Sequence, residues 1–189
     1  MRKYYERANT EIIKAIAHNE KIYFAKSGKY FIVTVSPCFC AYVLPEDWVL
    51  FNLDKAMRHK KLEEVFSGLM AQTTINTGNE ILPTDMYISG NGKQFTRQYT
   101  GANRLTGEKH KVWLNAAYTK DVESLYCNFY QEEPESFSKR HDGVISAETK
   151  REFLPVLAAR VDPVNGVDFV PLKIILPVRI SDDERNENE

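Results

Sequence analysis

The segment that most constrains the fold lies near the end of the chain, at Lys173–Ile180. Its alternate positions are apolar: Ile174, Leu176, Val178 and Ile180. Successive side chains of a β-strand point to opposite faces, so these four residues would line one face of a sheet. We therefore predict that this segment is an interior sheet strand against which the rest of the chain packs.

Periodicity along the rest of the chain predicts a mixed set of helices and strands. Helical spacing indicates a helix over 9–18, which Asn9 or Thr10 would cap, and a second helix over 53–69, which follows Asn52. A third helix of about ten residues would begin after Asn115, and Ser146 could cap another. Strand-type patterns cover 21–25 and 29–35, joined by Ser27-Gly28, and then 39–44, 85–89, 111–114 and 125–130. We interpret 71–84 as a polar loop and 131–143 as an exposed segment. The predicted fold class is α+β, with a mostly antiparallel sheet and two to four helices.

Composition restricts the classes of protein to which the chain can belong. Its 189 residues suffice for one core, and 43% hydrophobic residues exclude a disordered chain as the main state. With 25 Lys plus Arg against 26 Asp plus Glu, no global field attracts nucleic acid or an anionic membrane. An odd number of cysteines, no secretory signal and no long apolar run predict a cytoplasmic protein without a membrane partner.

The most basic part of the chain runs from residue 93 to residue 111. It carries five cations and one acid, a net charge of +4, with aromatic residues among them. Such a composition is typical of a loop that contacts nucleic acid or a partner protein. The candidate contact residues are Lys93, Phe95, Arg97, Tyr99, Arg104, Lys109 and Lys111. The alternative is a solvated hairpin whose aromatic side chains pack inward.

Motifs that carry chemistry are weak in this sequence. Gly90-Asn91-Gly92-Lys93 lacks the earlier glycine and the following Ser or Thr of a phosphate-binding loop. Cys38 and Cys40 have no second pair of ligands at zinc-site spacing. We therefore predict no catalytic residues, no metal and no cofactor, although a small hydrolase remains an alternative.

The C-terminal portion resembles the closing unit of bacterial DNA sliding clamps. The similarity covers Val112–Asn115, the helix that follows, the strand at Leu125–Tyr130 and the closing Ile174–Ile180. The start of the chain, with a helix followed by strands, the segment Tyr42–Asp47 and the same ending also look like small clamp-like proteins of Gram-positive phages and mobile elements, which implies the cytoplasm of a bacterial host cell.

The resemblance implies a sliding-clamp-like domain over residues 1–180, with insertions at about 71–110 and 131–168. Residues 181–189, with five acids and one arginine, would be an acidic disordered tail. The end of the final strand in clamps helps form an apolar groove for short peptides, which here corresponds to Pro177, Val178 and Arg179.

These observations support three functional hypotheses. The first is a non-enzymatic interaction protein of a phage or mobile element that binds a replication or nuclease complex. The second is an inhibitor of a host defence nuclease, of the anti-CRISPR type. The third is a nucleic-acid binder that uses the basic loop. The partner is a protein in the first two hypotheses, and oligomerisation is left open.

Overall fold

The computed structural model describes residues 1–20, 22–35, 39–52, 79–90, 94–103, 106–132, 154–161, 169–178 and 180. Helix α1 spans Arg2–Ala17, helix α2 spans Ala116–Glu123, and a 3-10 helix covers Glu46–Trp48. The strands are β1 (Ile22–Ser27), β2 (Tyr30–Val35), β3 (Cys40–Pro45), β4 (Asn79–Gly90), β5 (Gln94–Ala102), β6 (Lys109–Asn115), β7 (Asn128–Gln131), β8 (Val156–Val161) and β9 (Phe169–Ile175).

All nine strands of the described residues form one antiparallel sheet in the order β1-β2-β3-β9-β8-β7-β4-β5-β6. The predicted α+β class with an antiparallel sheet is confirmed. The order contains a repeat, because each helix is followed by a three-stranded meander, β1-β2-β3 after α1 and β7-β8-β9 after α2. The two meanders meet where β3 pairs with β9.

The sheet is strongly curved. In the strand order, β9 lies five steps from β6, which would be ~24 Å in a flat sheet at ~4.8 Å per step. The backbone N–H of Val178, three residues after β9 ends at Ile175, nevertheless donates to the carbonyl oxygen of Trp113 in β6 at 2.8 Å. Three residues reach only ~10 Å. The sheet must therefore bend so that β6 approaches the end of β9.

The main core lies on the face of the sheet that the two helices cover. Tyr4, Ala8 and Ile12 of α1 and Val122 of α2 pack there with the apolar residues of the strands. The Tyr4 hydroxyl also donates to the carbonyl oxygen of Leu172 at 2.7 Å, which ties α1 to the strand β9. A second buried cluster occupies the opposite face and consists of Ile32, Ala41, Val43, Tyr130, Leu157, Ala159 and Ile174.

The first helix is longer than predicted, and Asn9 does not cap it. Helix α1 begins at Arg2, and Asn9 is buried within it. The Asn9 side-chain amide donates to the carbonyl oxygen of Trp48 at 2.7 Å, and its oxygen accepts from the N–H of Leu50 at 2.8 Å. Asn9 thus fixes the chain that follows β3. The prediction failed because a side-chain amide that can cap a helix can equally bind the backbone of a neighbouring loop.

The hairpin of β1 and β2 is confirmed, with Gly28 at the first of its two loop positions and a φ of 57°. Glycine tolerates this left-handed conformation because it has no Cβ. The third strand is confirmed at β3, and the strand predicted at 111–114 is confirmed as part of β6. The predicted cap of α2 is also confirmed, since the Asn115 side-chain oxygen accepts from the N–H of Ala117 at 2.9 Å.

Other predicted boundaries were wrong. Residues 79–84, predicted as loop, belong to β4, which pairs with both β5 and β7. Gln131 was expected in an exposed segment but is buried in β7, where its side-chain amide donates to the carbonyl oxygen of Leu154 at 2.9 Å. The closing strand is interior, as predicted, but it ends at Ile175 and not at Ile180.

Parts of both predicted insertions belong to the sheet. Strands β4 and β5 fall entirely within 71–110, and β8 falls within 131–168. The predicted helix at 53–69, the turn at 91–93, Cys38, Ser146 and the tail at 181–189 lie outside the described residues. No helix in the part of the chain that the structure describes is long and apolar enough to cross a membrane.

Candidate partner-binding surface

Helix α2 is the element around which the polar side chains converge. On one side, the Nζ of Lys173 in β9 contacts both carboxylate oxygens of Asp121, at 3.0 and 2.9 Å. The Lys173 side chain is only 3% exposed, and its ammonium group lies 5.2 Å from the centre of the Tyr42 ring. An ion pair this deeply buried fixes the helix against β9, because separating the charges would leave a cation without solvent.

On its other side, α2 binds β5 through Glu123. The Glu123 carboxylate accepts a hydrogen bond from the Tyr99 hydroxyl and another from the Arg97 guanidinium at 3.1 Å. The Arg97 Nε also donates to the carbonyl oxygen of Thr84 at 2.9 Å. Two residues of the predicted contact set, Arg97 and Tyr99, therefore hold the helix in place.

Tyr99 was predicted to be a contact residue at the surface, but its side chain is buried. Its side chain is 0% exposed and packs against the Phe129 ring, with 4.9 Å between the ring centres. Burial and the hydrogen bond to Glu123 raise the pKa of its hydroxyl. A ring enclosed in the core cannot stack on a nucleic-acid base, so for Tyr99 the inward-packing hairpin is the correct interpretation.

Phe95 behaves in the opposite way. It is 57% exposed, and on the adjacent strand Tyr87 is 50% exposed. The register pairs Tyr87 with Arg97 and Ser89 with Phe95, which places the two aromatic residues diagonally on one face. The Arg97 guanidinium lies 5.4 Å from the centre of the Tyr87 ring. We call the patch formed by Tyr87, Phe95 and Arg97 the hairpin patch.

The remaining cations of the set lie elsewhere. Lys109 and Lys111 are exposed on β6 and pair with Ala102 and Thr100. These positions alternate with Arg97 along β5, so the two lysines point to the sheet face opposite the hairpin patch. Lys93 and Arg104 lie outside the described residues.

One residue of the predicted peptide groove, Val178, belongs to a small apolar cluster. Val178 and Met86 pack against the buried side chains of Ile88, Trp113 and Ile180. Pro177 is half-buried next to Val178, and Arg179 lies outside the described residues. The cluster is separate from the two larger cores, and the chain's own C-terminal segment supplies two of its members.

Among the reactive groups of the described residues, the Cys127 thiol has a strongly shifted pKa. Burial raises the pKa of the Cys127 thiol to about 12, so the thiol is protonated at neutral pH. The described residues contain no group of three or more His, Cys, Asp or Glu side chains that could hold a metal ion. The convergent polar groups instead connect elements of the fold.

Comparisons with protein-family models, with curated proteins and with solved structures found no match.

Sequence reasoning missed Tyr87 and the partners of α2. The alternation of residues 85–89 placed Tyr87 on a strand but gave no reason to expect exposure. Asp121 and Lys173 are 52 positions apart, and no local pattern connects them. Only the strand order brings β9 and β5 to opposite sides of the same helix.

Proposed function

We propose that this chain is a non-catalytic interaction module that binds a protein of a nucleic-acid-processing complex through the hairpin patch. One observation carries the proposal: Tyr87 and Phe95 are half-exposed or more on the same face, beside an arginine held by Glu123. Aromatic residues and arginine are the residue types that dominate binding energy in protein interfaces.

The patch is prepared for binding because its arginine is already ordered. Arg97 contacts Glu123, the Thr84 carbonyl and the Tyr87 ring. A side chain held in place before association loses little conformational entropy when the partner arrives. The rings of Tyr87 and Phe95 have few rotatable bonds, which limits the same cost.

A protein fits this patch better than a single-stranded nucleic acid does. Binding of single strands requires aromatic rings and uncompensated cations along one groove. Here Glu123 neutralises Arg97, and Lys109 and Lys111 are on the opposite face. The aromatic rings and the exposed lysines therefore do not act on the same ligand.

The clamp-like organisation belongs to the same proposal. The consecutive elements β6, α2, β7, β8 and β9, with Asn115 capping the helix, support it. A module of this kind, encoded by a phage or mobile element, would attach to replication or nuclease machinery and modulate it. The inhibitor of a defence nuclease remains a prediction within this class.

The test is affinity purification from host cells followed by calorimetry with the purified binding partner. We expect Tyr87→Ala combined with Phe95→Ala to weaken binding by about 1000-fold, since each truncated hot spot costs about 2 kcal/mol. The matched controls Ile13→Ala and Leu50→Ala remove exposed apolar side chains elsewhere. These controls should retain the affinity within about threefold.

Equal affinity of the double variant and the wild type would contradict the proposed surface. Binding of oligonucleotides with a steep dependence on salt, unaffected by the double substitution, would instead favour the nucleic-acid hypothesis. Circular dichroism of each variant separates lost binding from lost folding.

A further inference from the structure

Helix α2 is followed by an exposed tyrosine in an unusual backbone conformation. The N–H of Tyr126 donates to the carbonyl oxygen of Glu123 at 3.0 Å, and the N–H of Cys127 donates to that of Val122 at 3.3 Å. The left-handed position of such a helix end is usually occupied by glycine, but here Tyr126 has a φ of 56° and is 89% exposed. Burial within the protein does not offset the cost of this conformation, and such an outlier points to a role of the side chain in function.

Glu123, one turn before this tyrosine, has a carboxylate that is held in place through only one of its oxygens. Both the Tyr99 hydroxyl and the Arg97 guanidinium donate to Oε1 of Glu123. Within the part of the chain that the structure describes, Oε2 accepts no hydrogen bond, and the side chain is 30% exposed. A carboxylate accepts hydrogen bonds at both oxygens. Oε2 is therefore an ordered acceptor for a donor from another molecule.

A second acid lies on the same face of the sheet as the hairpin patch. Met86 of β4 packs in the small apolar cluster, and successive residues of a strand point to opposite faces. Asp85 and Tyr87 flank Met86, so both point to the face of the hairpin patch. The Asp85 side chain is exposed. On this surface the acids Asp85 and Glu123 outnumber Arg97, which favours a cationic ligand.

We propose that Asp85, Tyr87, Glu123 and Tyr126 bind an arginine side chain of a partner protein, and we call these four residues the arginine site. This site, which depends on the proposed function, defines the chemistry of the partner. The guanidinium of the ligand donates to Oε2 of Glu123 and stacks on an exposed ring, while Asp85 balances its charge. The molecule already makes both kinds of contact within itself, since Arg97 donates to Glu123 and lies over the Tyr87 ring.

An arginine fits the arginine site better than a lysine does. A guanidinium group is planar, so it can lie flat on an aromatic ring and donate in its own plane to a carboxylate. An ammonium group is a compact, strongly hydrated charge that does not stack in this way. One ordered acceptor beside two exposed rings therefore selects the guanidinium.

The first experiment measures the binding of a defined probe by NMR. N-acetyl-L-argininamide is titrated into nitrogen-15-labelled protein in about 50 mM salt, where screening is weak. The control is N-acetyl-L-citrullinamide, an uncharged molecule of the same shape. We expect saturable shifts of the amide signals of the arginine site, with a Kd in the millimolar range. The citrulline probe should bind at least about tenfold more weakly, and N-acetyl-L-lysinamide at least about threefold more weakly.

Substitutions at Tyr126 separate the role of the ring from that of the backbone. Tyr126→Gly removes the ring and relieves the positive φ, so it should weaken binding of the arginine probe by about threefold and raise the urea midpoint of unfolding. Tyr126→Phe keeps the ring and should bind the probe as the wild type does. Phe39→Ala removes another exposed ring and should leave the affinity unchanged. Weaker binding together with a raised midpoint cannot result from lost folding.

The absence of saturable shifts at the arginine site, equal binding of the citrulline probe, or an unchanged affinity of Tyr126→Gly would overturn the proposal. The proposed function is tested separately, by the affinity of the Tyr87→Ala and Phe95→Ala double variant for the purified partner. If that variant binds the partner more weakly but the arginine probe does not bind, the hairpin patch is supported and the arginine site is wrong. If the probe binds at the site but the double variant retains its affinity for the partner, the arginine site is supported and the proposed function is contradicted.

Discussion

At the scale of single residues, identical residue types on one face of the sheet play opposite parts according to whether another element packs over them. Tyr99 is enclosed in the core and donates to Glu123, whereas Tyr87 on the neighbouring strand is half-exposed beside Arg97. A buried polar group needs a hydrogen-bond partner, and the Glu123 carboxylate accepts from the buried Tyr99 hydroxyl. The Tyr87 side chain is half-exposed, so it does not need a hydrogen-bond partner within the protein, and its ring can contact a binding protein.

Removing the Tyr99 hydroxyl tests its structural role. We expect Tyr99→Phe to lower the free energy of unfolding by about 1 to 2 kcal/mol, because it deletes a hydrogen bond to a charged group. The matched control Tyr87→Phe should change the unfolding free energy by less than about 0.5 kcal/mol. Urea denaturation of the purified variants measures both values. Equal effects of the two substitutions would contradict the assignment.

At the scale of elements, α2 is an eight-residue helix that depends on its neighbours. A helix of this length is marginal by itself in water. Asn115 caps its start, Asp121 connects it to β9, and Glu123 connects it to β5. The helix is therefore stabilised by side chains from three different strands.

The buried ion pair should be the strongest of these connections. Asp121→Asn leaves the Lys173 ammonium buried without a counter-charge, and we expect a loss of about 3 to 5 kcal/mol of unfolding free energy. The exposed pair Lys26–Glu46 provides the comparison, and Lys26→Gln should cost at most about 1 kcal/mol. Thermal and urea unfolding of the two variants measure the loss of unfolding free energy in each. A loss below about 1 kcal/mol for Asp121→Asn would mean that the pair contributes little.

The cap makes a smaller contribution. Asn115→Ala should destabilise the protein by about 1 kcal/mol, because the N–H of Ala117 loses its acceptor. Asn115→Asp keeps an acceptor at the same position and should retain most of the stability. Urea denaturation of the two variants distinguishes a capping role from a general effect of substitution at this site.

At the scale of the whole molecule, the core between the helices and the sheet is rich in buried tyrosine. Burial raises the pKa of Tyr4 and Tyr42, and it raises that of Tyr5 to about 12. Burial also raises the pKa of Tyr99, and the hydrogen bond to Glu123 raises that pKa further. The folded protein thus keeps these hydroxyls protonated at pH values where the unfolded chain ionises.

This difference predicts instability at alkaline pH. Above a pH of about 10, unfolded tyrosines lose protons that the folded state retains, so the unfolding free energy falls as pH rises. The stability that these protonated tyrosines contribute to the folded state is fully present below that pH. It is lost as the pH rises through the raised pKa values of the folded protein. Urea titrations between pH 8 and 11 should show this decline. Tyr42→Phe should make it shallower, and an unchanged slope would contradict the prediction.

Several parts of the fold could be predicted from local sequence because their causes are local. A run of β-branched and aromatic residues marks β2 as a strand, Gly28 marks the first hairpin, and Asn115 marks the start of α2. In each case the residues within a few positions determine the backbone conformation or the buried face. Composition similarly established a chain with enough apolar residues for a core.

The candidate site could be predicted only in part, because the burial of a side chain depends on which other element packs against it. The segment 93–111 contains Phe95 and Arg97 of the hairpin patch, and it also contains Lys109 and Lys111, which lie on β6. The sequence could not reveal that Tyr99 and Arg97 bind Glu123, since that contact requires α2 to return over β5.

Sequence by itself thus determined the local conformations and the existence of a core. Tertiary structure decided which charges are paired, which aromatic rings are exposed, and where the C-terminal segment meets β6. The physical reason is that hydrogen-bonding partners such as Lys173 and Asp121, or Val178 and Trp113, are distant in sequence. Their contacts arise from strand order and sheet curvature, which no short segment encodes.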